Sequence, residues 1–391
     1  MIALGFESVE RIAAMPVRPG LRVARLAELN ANDNAAWCRL TRNSGADSVF
    51  ASEWFVRAVL THFDPGCEHR LFISVDALGE WDGVAVLTAH ARLGRVRLGH
   101  WRGLTNPNQF TGMPLVRRGR ERAFWSALLA ALDRQATGEA ALRLNDCPAD
   151  HRVTRALLDH CSAQGRAVEQ LGRRERAALL SSHALITQMD RGPTPKRQAR
   201  LRSLERKLER DHGPAQYVQT ASADDVEAWI ADFLALEAKG WKGRGGSALA
   251  SSPGSAGLFI DAVRAAHAGG AITCISLKVG GQVIAMSSFF MDSGHGFGFK
   301  CCFDEAFASY APGILLLRRI MTLVGEWPEM QFDSCSAATE VTINALWPER
   351  RALLDLCIAI DGPMGGTRYA AAMSALRAWH WWKNISVAEA V

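Results

Sequence analysis

Residues 271–303, AITCISLKVGGQVIAMSSFFMDSGHGFGFKCCF, decide the fold. The run breaks at Gly280-Gly281 and again at residues 292–294, and each piece between the breaks is rich in β-branched and aromatic residues. That pattern predicts three strands, 271–278, 282–291 and 295–303, joined by tight turns into an antiparallel meander. In the third strand a period of two puts Phe297, Phe299, Cys301 and Phe303 on one face and Gly296, Gly298, Lys300 and Cys302 on the other. The loop DEAFASYAPG (304–313) ends in Pro312-Gly313. Proline's fixed φ and missing N–H suit a first helical position, so a helix is expected over 314–325.

Reading downstream, MQFDSC (330–335) is a strand, 343–350 a short helix, ALLDLCIAI (352–360) a strand and 367–382 a terminal helix. Upstream lie a helix over 222–236, the glycine-rich basic stretch GWKGRGG (240–246) and a helix over 255–268. The first half is also mixed. It predicts a helix over 52–63 with Ser52 as N-cap, strands at 69–75, 83–89 and 95–101, and a turn-dense loop RGLTNPNQFTGMP (102–114). A helix over 121–134, a strand at 141–145 and a helix over 153–165 follow, and the residues from 178 read as a link. Two prolines and a glycine in DRGPTP (190–195) interrupt the periodicity. They divide the 391 residues into two units of ordinary domain size, 1–190 and 191–391.

Helix, helix, three-stranded meander, loop, helix, strand, helix, strand is the element order of the GCN5-related N-acetyltransferase (GNAT) fold. Three segments, LEAKGWKGRGGSAL (236–249), FKCCFDEAFASYAPGILL (299–316) and DSCSAATEVTINALWPERR (333–351), resemble the BioF2-like and cellulose-biosynthesis (CelD-type) acetyltransferases of that superfamily. Weaker likeness runs through VFASEWFVRAVLTHFDP (49–65) and FTGMPLVRRGRERAFW (110–125). The resemblance implies an α+β fold of two tandem GNAT-like domains, each a mixed, mostly antiparallel sheet flanked by helices. The first would be degenerate for the cofactor. In the second, the fourth and fifth strands would part to admit acetyl-CoA or another acyl-CoA, with the pyrophosphate on the helix N-terminus, where backbone N–H groups and the dipole attract anions.

The resemblance then places the residues. Phe299, Cys301, Ala311, Pro312, Gly313 and Ile314 would bind the cofactor. Trp241, Lys242 and Arg244, after a helix that borders the acceptor site, would bind substrate, with Asp304 and Glu340. Asp333 is the first candidate base, or else a cap for the next turn. Lys300 lines the cleft and pairs with a carboxylate or phosphate, or lies on the surface. Glu305, with Asp304, holds an amine or acts as base, or is a turn acid. Tyr310 protonates the leaving thiolate or packs under its loop. Two departures stand out: relatives carry Ser-Pro-Gly where this chain has Ala311-Pro312-Gly313, and a proline and histidine where it has Ser336-Ala337-Ala338-Thr339-Glu340. Glu340 would have to replace that histidine.

Composition narrows the rest. Hydrophobic residues make up 48% and charged residues 22%, which excludes disorder and coiled coil. Nine scattered cysteines without a C-x-x-C pair argue against zinc ribbons and disulfide frameworks and for a reducing cytoplasm. The N-terminus lacks a secretory signal pattern, and no apolar run reaches spanning length. His-Glu-x-x-His and Gly-x-Ser-x-Gly are absent, so neither metal nor serine hydrolysis is expected. The net charge of +5 concentrates in KRQARLRSLERKLER (196–210) and in 240–246. Leu201, Leu204 and Leu208 make the first an amphipathic helix with a partly self-paired face.

The sequence therefore predicts a cytoplasmic N-acyltransferase using acyl-CoA and no metal. Its acceptor would be a small molecule or glycan precursor, attacked directly in a ternary complex. The alternatives are a Fem-like transferase taking its acyl group from aminoacyl-tRNA, with 196–210 as RNA contact, and a degenerate scaffold in polysaccharide or envelope assembly.

Overall fold

The hairpin expected at Gly280-Gly281 is present. Both glycines take positive φ, 53° and 82°, the backbone that a two-residue turn between right-twisting strands requires. The computed structural model describes residues 20–44, 49–63, 68–135, 138–180, 195–292, 294–325, 330–347, 349–362 and 364–388. Most of the expected break at 190–195, the N-terminal 19 residues and Cys67 lie outside them, as do the side chains of Trp379, Trp381 and Trp382.

The same order of elements runs twice. The first pass is β1 (Gly20–Ala24), α1 (Ala31–Asn43), α2 (Glu53–His62), β2 (Arg70–Val75), β3 (Trp81–Leu93), β4 (Val96–Gly103), the short β5 (Leu115–Val116), α3 (Glu121–Arg134), β6 (Glu139–Pro148), α4 (Arg152–Ala163) and β7 (Val168–Leu179). The basic helix α5 (Pro195–His212) intervenes. The second pass is β8 (Gln216–Gln219), α6 (Ala223–Lys239), the single turn α7 (Trp241–Arg244), α8 (Pro253–Ala268), β9 (Ile272–Val279), β10 (Gln282–Asp292), β11 (His295–Phe303), α9 (Pro312–Gly325), β12 (Gln331–Asp333), α10 (Val341–Leu346), β13 (Glu349–Ala359) and α11 (Gly365–Ala388).

All the described strands join one mixed, mostly antiparallel sheet, in the order β1-β2-β3-β4-β6-β13-β7-β12-β11-β10-β9-β8, with β5 against β3. Two pairs among them run parallel, β4 with β6 and β11 with β12, one in each pass. The closing strands are exchanged between passes. β13 lies between β6 and β7, and β7 in turn pairs with β12. Strand β7 was not expected from sequence, because Arg173, Arg174, Glu175 and Arg176 hide its pattern. Tertiary partners absorb those charges: Arg174 meets Asp146 and Asp355, and Arg176 meets Asp333. Strand β13 starts three residues earlier than expected, and α10 stops at Leu346 instead of reaching 350.

One hydrophobic core spans the two passes. The ring of Phe50, just before α2, contacts Phe290 and Phe297 of β10 and β11 at centroid distances of 5.9 and 5.7 Å. Helices α2 and α8 pack closely, and a Cβ on Gly257 would stand 2.4 Å from the His62 ring. Burying each such phenylalanine contributes about 2 to 3 kcal/mol, so this shared core fixes the second pass's cleft against the first.

Candidate functional site

Strands β11 and β12 pair from His295 opposite Gln331 to Phe297 opposite Asp333, and beyond that point they separate. Gly298 is the last close approach, where a Cβ would stand 2.4 Å from the carbonyl oxygen of Ser334. A cavity of about 600 Å3 opens past it, with Phe332 and Trp347 on one side and Phe303, Leu317 and Ile320 near α9. Its walls include Phe299, Lys300, Cys301, Ala311, Pro312, Gly313 and Ile314, with Trp241, Lys242 and Glu340. The wedge therefore gathers the six residues expected around the cofactor and four of those expected around the acceptor or the chemistry.

The strict alternation expected along β11 does not hold. Ser288 of β10 faces Lys300 while Phe289 faces Gly298, so Phe299 is an extra residue, a β-bulge. A bulge turns every later side chain to the other face. Phe297 and Phe299 enter the shared core. Past the bulge, Lys300 points to that same side, over the Phe110 ring, and the Cys302 thiol reaches the Phe233 carbonyl. Cys301 and Phe303 turn instead toward α9. The bulge also interrupts the ladder beside the cavity, where β11 backbone groups can address a ligand. Cys301 is exposed there, yet its walled setting pushes the thiol's pKa up, opposite to what an activated nucleophile needs.

The α9 end of the cavity suits phosphate. Ala311 takes φ 53° and ψ 50°, a left-handed conformation rare for a residue with a Cβ, and its carbonyl accepts the N–H groups of both Ile314 and Leu315. Gly313 keeps the first turn open, since a Cβ there would meet only Phe303, at 3.5 Å. A 14-residue helix aims its positive end at this space.

The opposite wall belongs to α6 and α7. Trp241 is 58% exposed at the rim. Lys242 donates to Glu237 at 2.8 Å and to the Cys301 carbonyl at 3.2 Å. Burial would lower this lysine's pKa, but the Glu237 carboxylate raises it above its ordinary value. Glu237, itself buried, also accepts the Leu249 N–H at 2.7 Å. Lys300 donates to Asn108 at 2.5 Å. Sequence reading missed Glu237 and Asn108: one hides in a helical pattern, and the other comes from a loop 192 residues away.

The remaining expected site residues are committed elsewhere. Asp333 is fully buried and grips Arg176 through two hydrogen bonds of 2.6 and 2.8 Å, with Arg351 at 3.4 Å. Burial alone would raise its pKa, but the Arg176 guanidinium overcomes that and holds the carboxyl below its ordinary range. A carboxylate held ionised by two arginines outside the cavity is a poor base, which corrects the expectation. Asp304 and Glu305 are also corrected: they anchor the loop after α6. Asp304 binds Lys239 at 2.7 Å; Glu305 accepts the Trp241 N–H and the Arg244 guanidinium, both at 2.6 Å. Arg244 is thereby held out of the cavity lining. Tyr310 points away from the wedge, donating to Asp211 at 3.0 Å with Lys207 over its ring. It fastens α5 to the loop before α9 and is not placed to protonate a thiolate in the wedge. Glu340 caps α10 through the Thr342 N–H at the cavity edge.

The equivalent wedge of the first pass is filled. The loop after β4 folds back between β4 and β6, where a Cβ on Gly112 would stand 2.1 Å from the Asn145 carbonyl oxygen. Leu104 and Met113 are buried there, and the remaining space is about 30 Å3. Among the described residues no group of His, Cys, Asp and Glu is placed to hold a metal ion, and no helix is long and apolar enough to cross a membrane.

Residues 195–326, about a third of the chain, match the model of the acetyltransferase (GNAT) domain family. This stretch runs from α5 through α9 and carries most of the cavity wall. No curated protein matches the chain. Among solved structures, FemX superposes with a TM-score of 0.53 at 10% identity, covering 87% of this chain and 97% of its own. The C-terminal domain (DUF2156) of an Agrobacterium fabrum protein named as a lysylphosphatidylglycerol synthetase also scores 0.53, at 12% identity, covering 89% and 97%. At such identities the likeness is one of fold.

Proposed function

We propose that the chain is an acyl-CoA-dependent N-acyltransferase built of two GNAT-like units that divide near residue 190, the second of which binds the thioester. The observation that carries this reading is the wedge: two parallel strands parting at a bulge, with an open helix N-terminus at one end of the same cavity. Phosphates of the coenzyme would lie on the first turn of α9 over Gly313. The pantetheine arm would follow β11, and the thioester would reach the bulge around Phe299–Cys301. A backbone N–H there polarises the carbonyl, as a donor aimed at developing negative charge does.

The acceptor amine would enter between Trp241, Lys242 and Lys300 and attack the thioester carbon. A C–N bond forms, the C–S bond breaks, and the amine's proton leaves to solvent as the thiolate is released and protonated. Attack is direct, because burial pushes up the pKa of each of the three thiols that line the cavity, Cys301, Cys302 and Cys335, and none is activated. The filled first wedge supports a first unit that takes no coenzyme. The segments quoted from 236–249, 299–316 and 333–351 favour the BioF2-like and CelD-type branch, and free thiols fit a cytoplasmic protein. Thermal-shift titration with acetyl-CoA and longer acyl-CoAs tests the reading. Stabilisation is expected, and no shift with any thioester refutes it.

A second reading draws on α5. Its exposed Arg206, Lys207 and Arg210 lie on the helix that Tyr310 ties to the loop before α9. In a Fem-like transferase that face would meet the phosphates of an aminoacyl-tRNA, and binding would weaken steeply with salt. No tRNA mobility shift at low salt removes it.

A further inference from the structure

Lys300 is a half-buried lysine on the cavity wall whose ammonium has no ion-pair partner among the described residues. Its Nζ lies 2.5 Å from the Asn108 amide oxygen and over the rings of Phe110 and Phe299, at 5.4 and 5.6 Å. Among the described residues no carboxylate comes within ion-pair distance of it. The neighbouring Lys242 is already answered by Glu237 at 2.8 Å. Lys300 is therefore the one cation among the described lining residues without an ion-pair partner, Glu340 at the cavity edge standing beyond ion-pair distance of it, in a setting where an unpaired, partly desolvated charge is costly. Burial, with Lys242 nearby, pushes the Lys300 pKa down to about 8. Asn108 is itself 4% exposed, and its amide N–H groups donate to no acceptor among the described residues. The ammonium lines the cavity, and the Asn108 amide stands directly behind it with its oxygen on Nζ and its N–H groups free to donate.

We propose that Lys300 and Asn108 together bind a carboxylate of the acyl acceptor, so that the substrate is an amine that also carries a carboxylate, such as an amino acid or a related small acid. One uncompensated positive charge matches a monoanion; a phosphate dianion would leave a negative charge buried among Phe110, Phe299 and Phe290. The two donors offer one N–H to each carboxylate oxygen, and charge-assisted bonds of that kind are the stronger ones. Asn108 arrives from the loop that fills the first wedge, so the first unit, having no coenzyme space of its own, supplies specificity to the second. The proposal rests on the acyl-transfer reading.

The test uses product-like probes on the full chain. CoA is titrated first, alone. Its failure to bind removes the acyl-transfer reading, and the comparison is then made on the free protein, where Lys300 still lacks a counter-anion. N-acetylglycine, N-acetyl-L-alanine and N-acetyl-β-alanine are each compared with their carboxamides by calorimetry. At least one acid is expected to bind tenfold or more tighter than its amide, a roughly tenfold gap being the smallest a charge-assisted pair should produce. Lys300→Met and Lys300→Gln should both erase the gap while leaving CoA affinity unchanged, and Asn108→Leu should weaken acid binding about tenfold. If no acid outperforms its amide, or if the gap survives in both Lys300 variants, the proposal is wrong. Methyl phosphate binding better than every acid would also overturn it.

Discussion

Replacing Lys300 with methionine should make the protein more stable at neutral pH, although it removes a hydrogen bond and the attraction of the charge to two rings. The ammonium's pKa falls from its ordinary 10.5 to about 8, a cost to the charged folded state of about 3 kcal/mol. Methionine keeps the reach and the contact with Phe110 and Phe299 but leaves the Asn108 oxygen unpaired, which costs about 1 kcal/mol. The net expectation is a gain of about 2 kcal/mol at pH 7.

The sign reverses with pH in a defined window. Between about 8 and 10.5 the unfolded chain binds the Lys300 proton and the folded chain does not, so wild-type stability rises with pH relative to the variant. The difference should shrink to nothing or change sign by about pH 10. Urea unfolding of both proteins at pH 7, 8, 9 and 10 measures it, and other titrating groups cancel in the difference. A variant less stable at pH 7, with a gap that does not move with pH, refutes the picture of Lys300 as an unanswered, half-buried charge.

Other perturbations separate site from scaffold. Gly313→Glu has room for its Cβ and places a carboxylate where the coenzyme's phosphates would sit; CoA affinity should fall about 100-fold with little change in melting temperature. Asp333→Asn should destabilise by about 3 to 5 kcal/mol, because it strands the buried Arg176, and calorimetry should find CoA affinity retained in whatever fraction folds. Wild-type stability from Asp333 is present above its unfolded pKa of about 3.9 and is lost only as pH falls through the depressed folded value. Cys301, exposed in the cavity, should react with a maleimide in the free protein and be protected by CoA, which peptide mapping reads directly.

The sequence made the cleft-forming half legible because its signals are local. Alternating hydrophobics and a Gly-Gly turn define β9 to β11, and Pro312 marks the start of α9. What it concealed arises from long-range contacts. The bulge at Phe299 carries no glycine or proline of its own, and it shows only in the register against β10. One extra residue there moved Lys300 and Cys302 to the face expected for Cys301. Most of strand β7 drew no reading from the sequence, which placed only a link from 178, because the buried partner of Arg176 lies far along the chain, Asp333 being 157 residues away. The same distance misled the reading of Asp333: a carboxylate at a strand end suggests a base until the guanidinium that holds it is seen. Asn108 sat in a loop recognised only as rich in turns, and its role depends on the shared core that brings the two passes together.

The central claim is that one wedge, between β11 and β12, takes a coenzyme A thioester while the filled wedge between β4 and β6 takes none. Isothermal titration of the full chain with acetyl-CoA tests this most directly. The account predicts a single site per chain, abolished by Gly313→Glu. No heat of binding, two sites per chain, or a site indifferent to Gly313→Glu would contradict it.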